Sequence, residues 1–547
     1  MKLFIFILFY IFFTFSIIGY GILLRKFVGQ SSTYCIGYSG IYGIFFITFV
    51  SYFINYFIPI SASLNILIHF FGFILFFYFY KKEFKVSKKE LLLLFIVILF
   101  SFLFILSAKP HDDFSYYHFP YINMLNNDSL QIGIGNFNHG FRTHSSIFYF
   151  SSTFYLPLIN YELIHLGSSF FLIFVNLILL KKLTIDKNNY SKFILILSVL
   201  SFALLNIFFY RIGEHGVDRS AQILIMLLVV EMLFIFNFKK INLNNITNLI
   251  ILIILAASLK PIYLIYFLFF FLFIYYSRKK LTLILEVIKS KIFLLSTVFI
   301  LFVISVNFLN SGCLIYPLTF VCFDHFTWSI PIDQVNHMNQ HYNLWSKAGI
   351  TPNFRIVNPE EYLKDFKWVS NWFDLYFFNK VSDYLLGLLV LLLFVFLILF
   401  KSNKNKFTSI KFLPVYLLIV ILFLEWFFHH PALRYGGYHL IALLFFIPFS
   451  IYLSGKTFNN KKLYGRIFLT IILVLAIFVV RNVQRISKEH KIYNYNPLFS
   501  PSYNKQFENY SIYSSMIDAK NCNKNNCSKG KVISKKIINK FIFFVNK

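Results

Sequence analysis

Two adjacent carboxylates and two imidazoles fall within His111-Asp112-Asp113-Phe-Ser-Tyr-Tyr-His118. In an extended or turn segment consecutive side chains point in different directions. One carboxylate can then face a substrate while the other is held by a cation, or both can contribute to one metal. Two close carboxylates also push one pKa upward, which suits a general base working near neutrality. His118 joins the same patch if the segment turns or becomes helical. Asp113, Asp112 and His118 are therefore the candidate catalytic residues, and His111, Asp112 and Asp218 the candidate metal ligands. The competing reading is a polar loop whose Asp caps a following helix.

Cations that could hold a phosphate are scattered along the chain. Asn136 to Ser146 contributes Arg142 and His144. Arg211 to Arg219 is a short segment rich in ionisable groups. Its Glu214, His215 and Asp218 could join a cation site, and Arg219 offers the forked donor geometry that Lys lacks. The competing reading is a self-paired charged turn. Lys260 precedes Pro261, which breaks a helix because it lacks an N–H and clashes with the preceding turn. That places Lys260 at a helix end, as a functional or a snorkelling cation. Arg434 lies in His429 to His439 among small neighbours that would let a phosphate approach, or that would simply anchor an interfacial loop. Glu231 and Glu425 fall within apolar runs and receive no role.

The elements that must position these groups are membrane helices. The 547 residues are 58% hydrophobic and 13% charged, with mean hydropathy +0.69; a soluble chain carries about a quarter charged residues. Apolar runs of about 17 to 22 residues recur from end to end, the length a helix needs to cross a bilayer. The expected fold is all-α, a polytopic transmembrane bundle of about fourteen spans. Residues 1–480 form the membrane domain, with outer loops 109–159 and 311–381, and 481–547 form a basic tail. With that count every Lys/Arg-rich short loop falls on one side, as the positive-inside rule requires. Both termini then lie outside, which in a bacterial inner membrane is the periplasm. Most acids and histidines fall on that outer side too. The first run, from Lys2, lacks a small-x-small cleavage site and reads as a retained helix. The net charge of +29 sits largely in inner loops, so it argues for a bilayer partner and against nucleic acid. The 76 Phe residues read as lipid-facing filler.

The long outer loop mixes Trp345, Trp368 and Trp372 with charges, which suggests interfacial helices on the outer leaflet. Cys313 and Cys322 share that loop, and Cys522 and Cys527 share the tail. Two pairs in an oxidising compartment suggest two small disulfide loops. Cys35 stands alone.

Many spans, an acidic residue in an early outer loop, a Lys at a short span junction and a late outer Arg resemble the GT-C class of polyprenyl-phosphate-sugar-dependent glycosyltransferases. In that class the acidic residue follows the first span, whereas here it follows the fourth. Asp113-Phe-Ser-Tyr-Tyr-His118, Gly135-Asn-Phe-Asn-His-Gly-Phe-Arg142-Thr-His-Ser145-Ser146, and Ser311-Gly312 through Tyr316-Pro317 to Trp328-Ser-Ile-Pro331 are similar to uncharacterised bacterial multi-span proteins placed beside that class. The resemblance implies a lipid-phosphate sugar donor and a glycan or lipid acceptor at the outer leaflet. It implies Asp113 or Asp112 as base, with Arg142, Lys260 or Arg434 on the phosphate and a divalent cation (Mg or Mn) as the cofactor such a site can take. The rivals are a transporter or flippase of lipid-linked glycans, and a polysaccharide polymerase or ligase.

Overall fold

A computed structural model describes residues 2–30, 35–82, 87–109, 111, 113–238, 242–277, 281–351, 354–401, 411–493, 496, 533–538 and 541–546. Asp112, Cys522 and Cys527, all expected to act at the site or in a disulfide, lie outside the described residues.

The described chain is mostly helical, with two short antiparallel strand pairs. Its α-helices are α1 Lys2–Phe27, α2 Ile36–Asn55, α3 Ala62–Lys82, α4 Lys88–Ser101, α5 Phe119–Asn127, α6 Ser146–Ser152, α7 Leu166–Thr184, α8 Lys192–Phe208, α9 Ile212–His215, α10 Val217–Phe238 and α11 Leu243–Leu259. There follow α12 Leu268–Ser277, α13 Leu281–Ile288, α14 Lys291–Ser311, α15 Ile332–Ser346, α16 Pro359–Leu363, α17 Trp368–Trp372, α18 Ser382–Leu399, α19 Leu413–His429, α20 Gly437–Ser454 and α21 Asn460–Tyr493. Among the described residues nine helices are long and apolar enough to cross a bilayer, and shorter apolar helices stand at Lys192–Phe208, Leu243–Leu259, Pro261–Tyr275 and Leu413–His429. Helix is the form in which an apolar run satisfies its own backbone without water. Several starts are written in the sequence. Ser87, Ser191, Asn242 and Ser290 each accept a backbone N–H of the first turn, the usual N-cap arrangement.

The bundle centre is α7, α8, α10 and α11, whose sides are almost wholly buried. Around it α1 packs against α2 and α3 through small residues. A side chain at Gly43 would strike the Ile17 carbonyl, and one at Gly19 the Gly72 carbonyl. Close backbone approach of this kind replaces the hydrophobic drive that lipid removes. Away from the cavity described below, Lys181 meets Glu90 at 3.1 Å and Lys182 meets Glu231 at 3.0 Å. The backbone N–H of Ile36 donates to Glu90, and Tyr38 donates to Glu231. Glu231, left without a role by the sequence, thus braces α2, α7 and α10.

Several expectations shift. Residues 160–180 read as one apolar run of spanning length, but the chain becomes helical only at Leu166, after a series of turns. The boundary at 480/481 falls inside α21, which continues unbroken to Tyr493. Within the expected basic tail, Ile533–Ile538 pairs antiparallel with Phe541–Asn546 as a hairpin. Its Phe544 N–H donates to the Ile132 carbonyl at 2.8 Å, and Phe544 packs on Phe137. Trp368 and Trp372 are buried within the protein. They pack on Phe427, and the Trp372 indole donates to the Pro431 carbonyl at 2.9 Å. An indole can be buried at little cost when its N–H finds such a partner.

Candidate functional site

Four separate stretches deliver the charged groups. The first is a π-helical turn, Phe114–His118, which runs into α5; such turns are frequent at functional sites. Asp113 precedes it. The second is the start of α10, where Asp218 occupies the first turn. The positive end of a helix dipole favours a carboxylate there. The third is the junction after α11. The residue before a proline is pushed to extended geometry, and Lys260 has φ −155° and ψ 122° before Pro261 opens a 3-10 helix to Phe267. The fourth is a 3-10 turn, Leu433–Tyr435, which carries Arg434 and ends at Gly436. Gly436 has φ +121°, a conformation other residues rarely adopt.

These stretches meet at one cavity of about 600 Å³, lined by Asp113, His118, Asp218, Lys260 and Arg434 among others. Its aromatic wall comprises Tyr117, Tyr435, Tyr316 from the loop after α14, and Tyr342 and Trp345 from α15. Ile262, Leu264 and Leu318 add an apolar side.

Asp218 is the hub. One carboxylate oxygen pairs with the Lys260 ammonium, and the other accepts from Arg434 Nε at 2.9 Å. Arg434 Nη2 lies 4.0 Å from Asp113 Oδ2. Tyr117 donates its hydroxyl to the same Asp113 oxygen at 3.4 Å. The Lys260 ammonium also sits 4.3 Å from the centre of the Tyr435 ring. Asp113 is the more open of the two carboxylates, with its side chain 35% exposed against 14% for Asp218. The Asp218 carboxylate raises the Arg434 pKa further above its ordinary value. Burial lowers that of Lys260, and Asp218 opposes the shift.

The imidazoles divide by environment. His118 is buried and stacks on His111 at 5.8 Å. Burial, then the neighbouring His111, drives its pKa down to about 3, so it is a neutral group at pH 7. The His111 Nδ1 accepts the Asp113 backbone N–H at 3.0 Å and lies 3.5 Å from Asp113 Oδ2. His144 lines the cavity, but its two ring nitrogens are engaged by Tyr52 at 2.7 Å and Asn307 at 2.8 Å. Burial takes its pKa down to about 4.

Two expected phosphate ligands are elsewhere. Arg142 does not line the cavity; it is buried and donates to the Gly135 carbonyl at 2.8 Å, the Tyr316 hydroxyl at 3.2 Å and Gln334 at 3.3 Å. It ties segment 109–159 to the loop after α14 and to α15. Arg219 also lies outside the lining, with its guanidinium against Phe209 and Tyr438. Glu214 is paired with Arg211, so the Arg211 to Arg219 segment is in part the self-paired turn. Among the described residues no three His, Cys, Asp or Glu side chains gather as a metal cage. Asp218, expected as a metal ligand, holds two cationic side chains instead. Cys313 and Cys322 are joined by a disulfide in the loop that supplies Tyr316. Of the aromatic wall the sequence marked only Trp345 by residue type, and as an interfacial group rather than a cavity wall. One Tyr among 36 carries no local signal that it faces a cavity.

No curated protein and no solved structure matches the chain. A family model does match, over residues 1–441, and so α21 and the tail lie beyond the matched part. The chain belongs to the family described as a domain of unknown function, DUF8201.

Proposed function

We propose that the protein is an integral membrane glycosyltransferase that moves a sugar from a lipid-phosphate donor to a glycan or lipid acceptor of the cell envelope. In this reading about fourteen spans place the cavity at the outer face of a bacterial inner membrane, with both termini periplasmic. One observation carries the proposal: the open carboxylate of Asp113 and the cationic pair Lys260 and Arg434 line the same cavity of about 600 Å³. That volume is in the range of small-molecule sites. The aromatic wall suits the apolar faces of a sugar ring.

The chemistry follows from those positions. Asp113 takes the proton of an acceptor hydroxyl as the oxygen attacks the sugar carbon. The bond from that carbon to the phosphate oxygen breaks, and the configuration inverts. Negative charge grows on the leaving phosphate, where prearranged donors act most strongly. Lys260 and Arg434 each retain N–H groups beyond those given to Asp218. A divalent cation, if bound there, would add charge at the phosphate; of the residues expected to hold it, His111 and Asp218 line the cavity.

Membranes containing the protein should transfer sugar from supplied polyprenyl-phosphate sugars. Asp113→Asn should reduce transfer at least a hundredfold, within the usual range for general-base loss. Wild-type transfer by Asp113→Asn, Asp112→Asn and the double variant would remove the carboxylates from the mechanism. The helix break at Lys260-Pro261 is the feature that favours a flippase. Movement of the labelled lipid across proteoliposomes without any acceptor, and with no transfer, would select that reading.

A further inference from the structure

The chain reaches Asp113 through a segment that stops being helical before it leaves the protein interior. After α4 a 3-10 turn spans Phe102–Phe104, and the chain then loses regular structure. Leu103, Phe104, Ile105, Leu106, Ser107 and Ala108 are nonetheless all buried. Their backbone polar groups need partners that the helix no longer supplies.

Part of that need is met nearby: the Ile105 and Leu106 N–H groups donate to the Phe102 and Leu103 carbonyls, and His165 Nε2 lies 2.9 Å from the Phe104 carbonyl. Further partners come from the far end of the sequence. Arg485 donates through Nη2 to the Leu103 carbonyl at 3.1 Å and through Nη1 to the Leu106 carbonyl at 3.2 Å. Glu489 Oε2 accepts the Ala108 N–H at 2.9 Å. The two side chains stand one helical turn apart on α21, pair at 3.0 Å, and are each 5% exposed. Arg485 also lies 3.9 Å from Glu214, in the turn that leads into Asp218.

Spanning does not require this arrangement. A helix of 34 residues is about 51 Å long, against a hydrocarbon core of about 30 Å. The apolar part of α21 ends at Val480, and the turns bearing Arg485 and Glu489 continue past it. Neither residue lines the cavity, and both lie beyond the part of the chain matched by the family model.

We propose that Arg485 and Glu489 are positioning residues that fix the segment 103–108 and so hold Asp113 in register with Arg434. The functional part of this inference rests on Asp113 being the base, as proposed above. Hydrogen–deuterium exchange on the purified full chain tests the clamp without any activity. Glu489→Ala should speed exchange across 103–113 at least tenfold and leave 170–180 unchanged. Glu489→Gln keeps an acceptor for Ala108 and should restore most of the protection. Arg485→Lys keeps the charge and loses the fork, and should also loosen 103–113; it serves if Glu489→Ala does not fold. In the transfer assay Glu489→Ala should lower kcat about a hundredfold, the scale of a misplaced catalytic group, with KM within about twofold. Unchanged exchange across 103–113 in Glu489→Ala and Arg485→Lys overturns the clamp. Faster exchange with unchanged kcat overturns the positioning role. If the wild type transfers nothing from any donor, the glycosyltransferase reading falls, while the exchange comparison still decides whether α21 holds the segment.

Discussion

Replacing Asp218 by Asn should move stability and anion affinity in opposite directions. Lys260, Arg434, Asp218 and Asp113 together carry no net charge, and Asp218→Asn leaves that set at +1. Breaking one partner of a fully buried ion pair costs about 3–5 kcal/mol. Here Lys260 is 24% exposed and Arg434 38% exposed, so water screens part of the loss and about 2 kcal/mol is expected. The two cations also lose their internal competitor. A unit charge at 4 Å is worth about 4 kcal/mol at an effective dielectric of 20. Dehydrating the cations and the ligand takes back most of it, leaving about 1.4 kcal/mol, or a tenfold tighter Kd. The assay is paired: unfolding of purified protein in a denaturing detergent series, and calorimetric titration with dodecyl phosphate in mild micelles. Adding Lys260→Met to Asp218→Asn should recover part of the stability and cancel the gain in affinity. If Asp218→Asn leaves both stability and dodecyl phosphate affinity at wild-type values, Asp218 is not the hub of the cluster. Equal effects with and without Lys260→Met would refute the coupling.

Three further outcomes are expected. His118 and His144 have folded pKa values of about 3 and about 4, below the 6.5 of a free imidazole. The unfolded chain therefore binds more protons between those values. The stability they contribute is complete above pH 6.5 and is lost as pH falls toward 4, by up to about 1.4 kcal/mol per pH unit for each group. Unfolding series at pH 7.5, 6 and 5 should show this, and His118→Gln should flatten the slope. The Cys313–Cys322 bridge closes a loop of sequence separation 9, which the chain-entropy account values at about 2–3 kcal/mol. The double Ser variant should lose that much in an unfolding series, and no loss would show that the loop is held by other contacts. Gly133 has φ +80°, and a Cβ there would meet the Phe544 carbonyl. Gly133→Ala should cost about 1–3 kcal/mol and speed proteolysis between Ile533 and Asn546; unchanged cleavage would mean the hairpin does not depend on that contact.

The helical class and most helix positions are legible locally, because an apolar run of spanning length must satisfy its own backbone. The caps at Ser87, Ser191, Asn242 and Ser290 are legible for a similar reason: a hydroxyl or amide beside the run is the nearest acceptor for its first free N–H groups. So is the extended backbone of Lys260, which Pro261 imposes on its neighbour. The sequence also marked Asp113, Asp218, Lys260 and Arg434 by type and by position at the ends of apolar runs. It could not divide the cations among them. Arg434 and Arg142 read alike in one dimension, yet Arg434 reaches across 216 positions to Asp218, while Arg142 spends its donors on Gly135, Tyr316 and Gln334. Nor could it show that Asp218 pairs with two cations at once, or that Trp368 and Trp372 are core. The continuation of α21 past Val480 is the same case, because its polar last turns look like a soluble tail until segment 103–108 is brought beside them. Local pattern determines which groups leave the hydrocarbon and where a helix must start or break. The pairing of charges is decided by helix packing across hundreds of residues, and only the tertiary structure contains it.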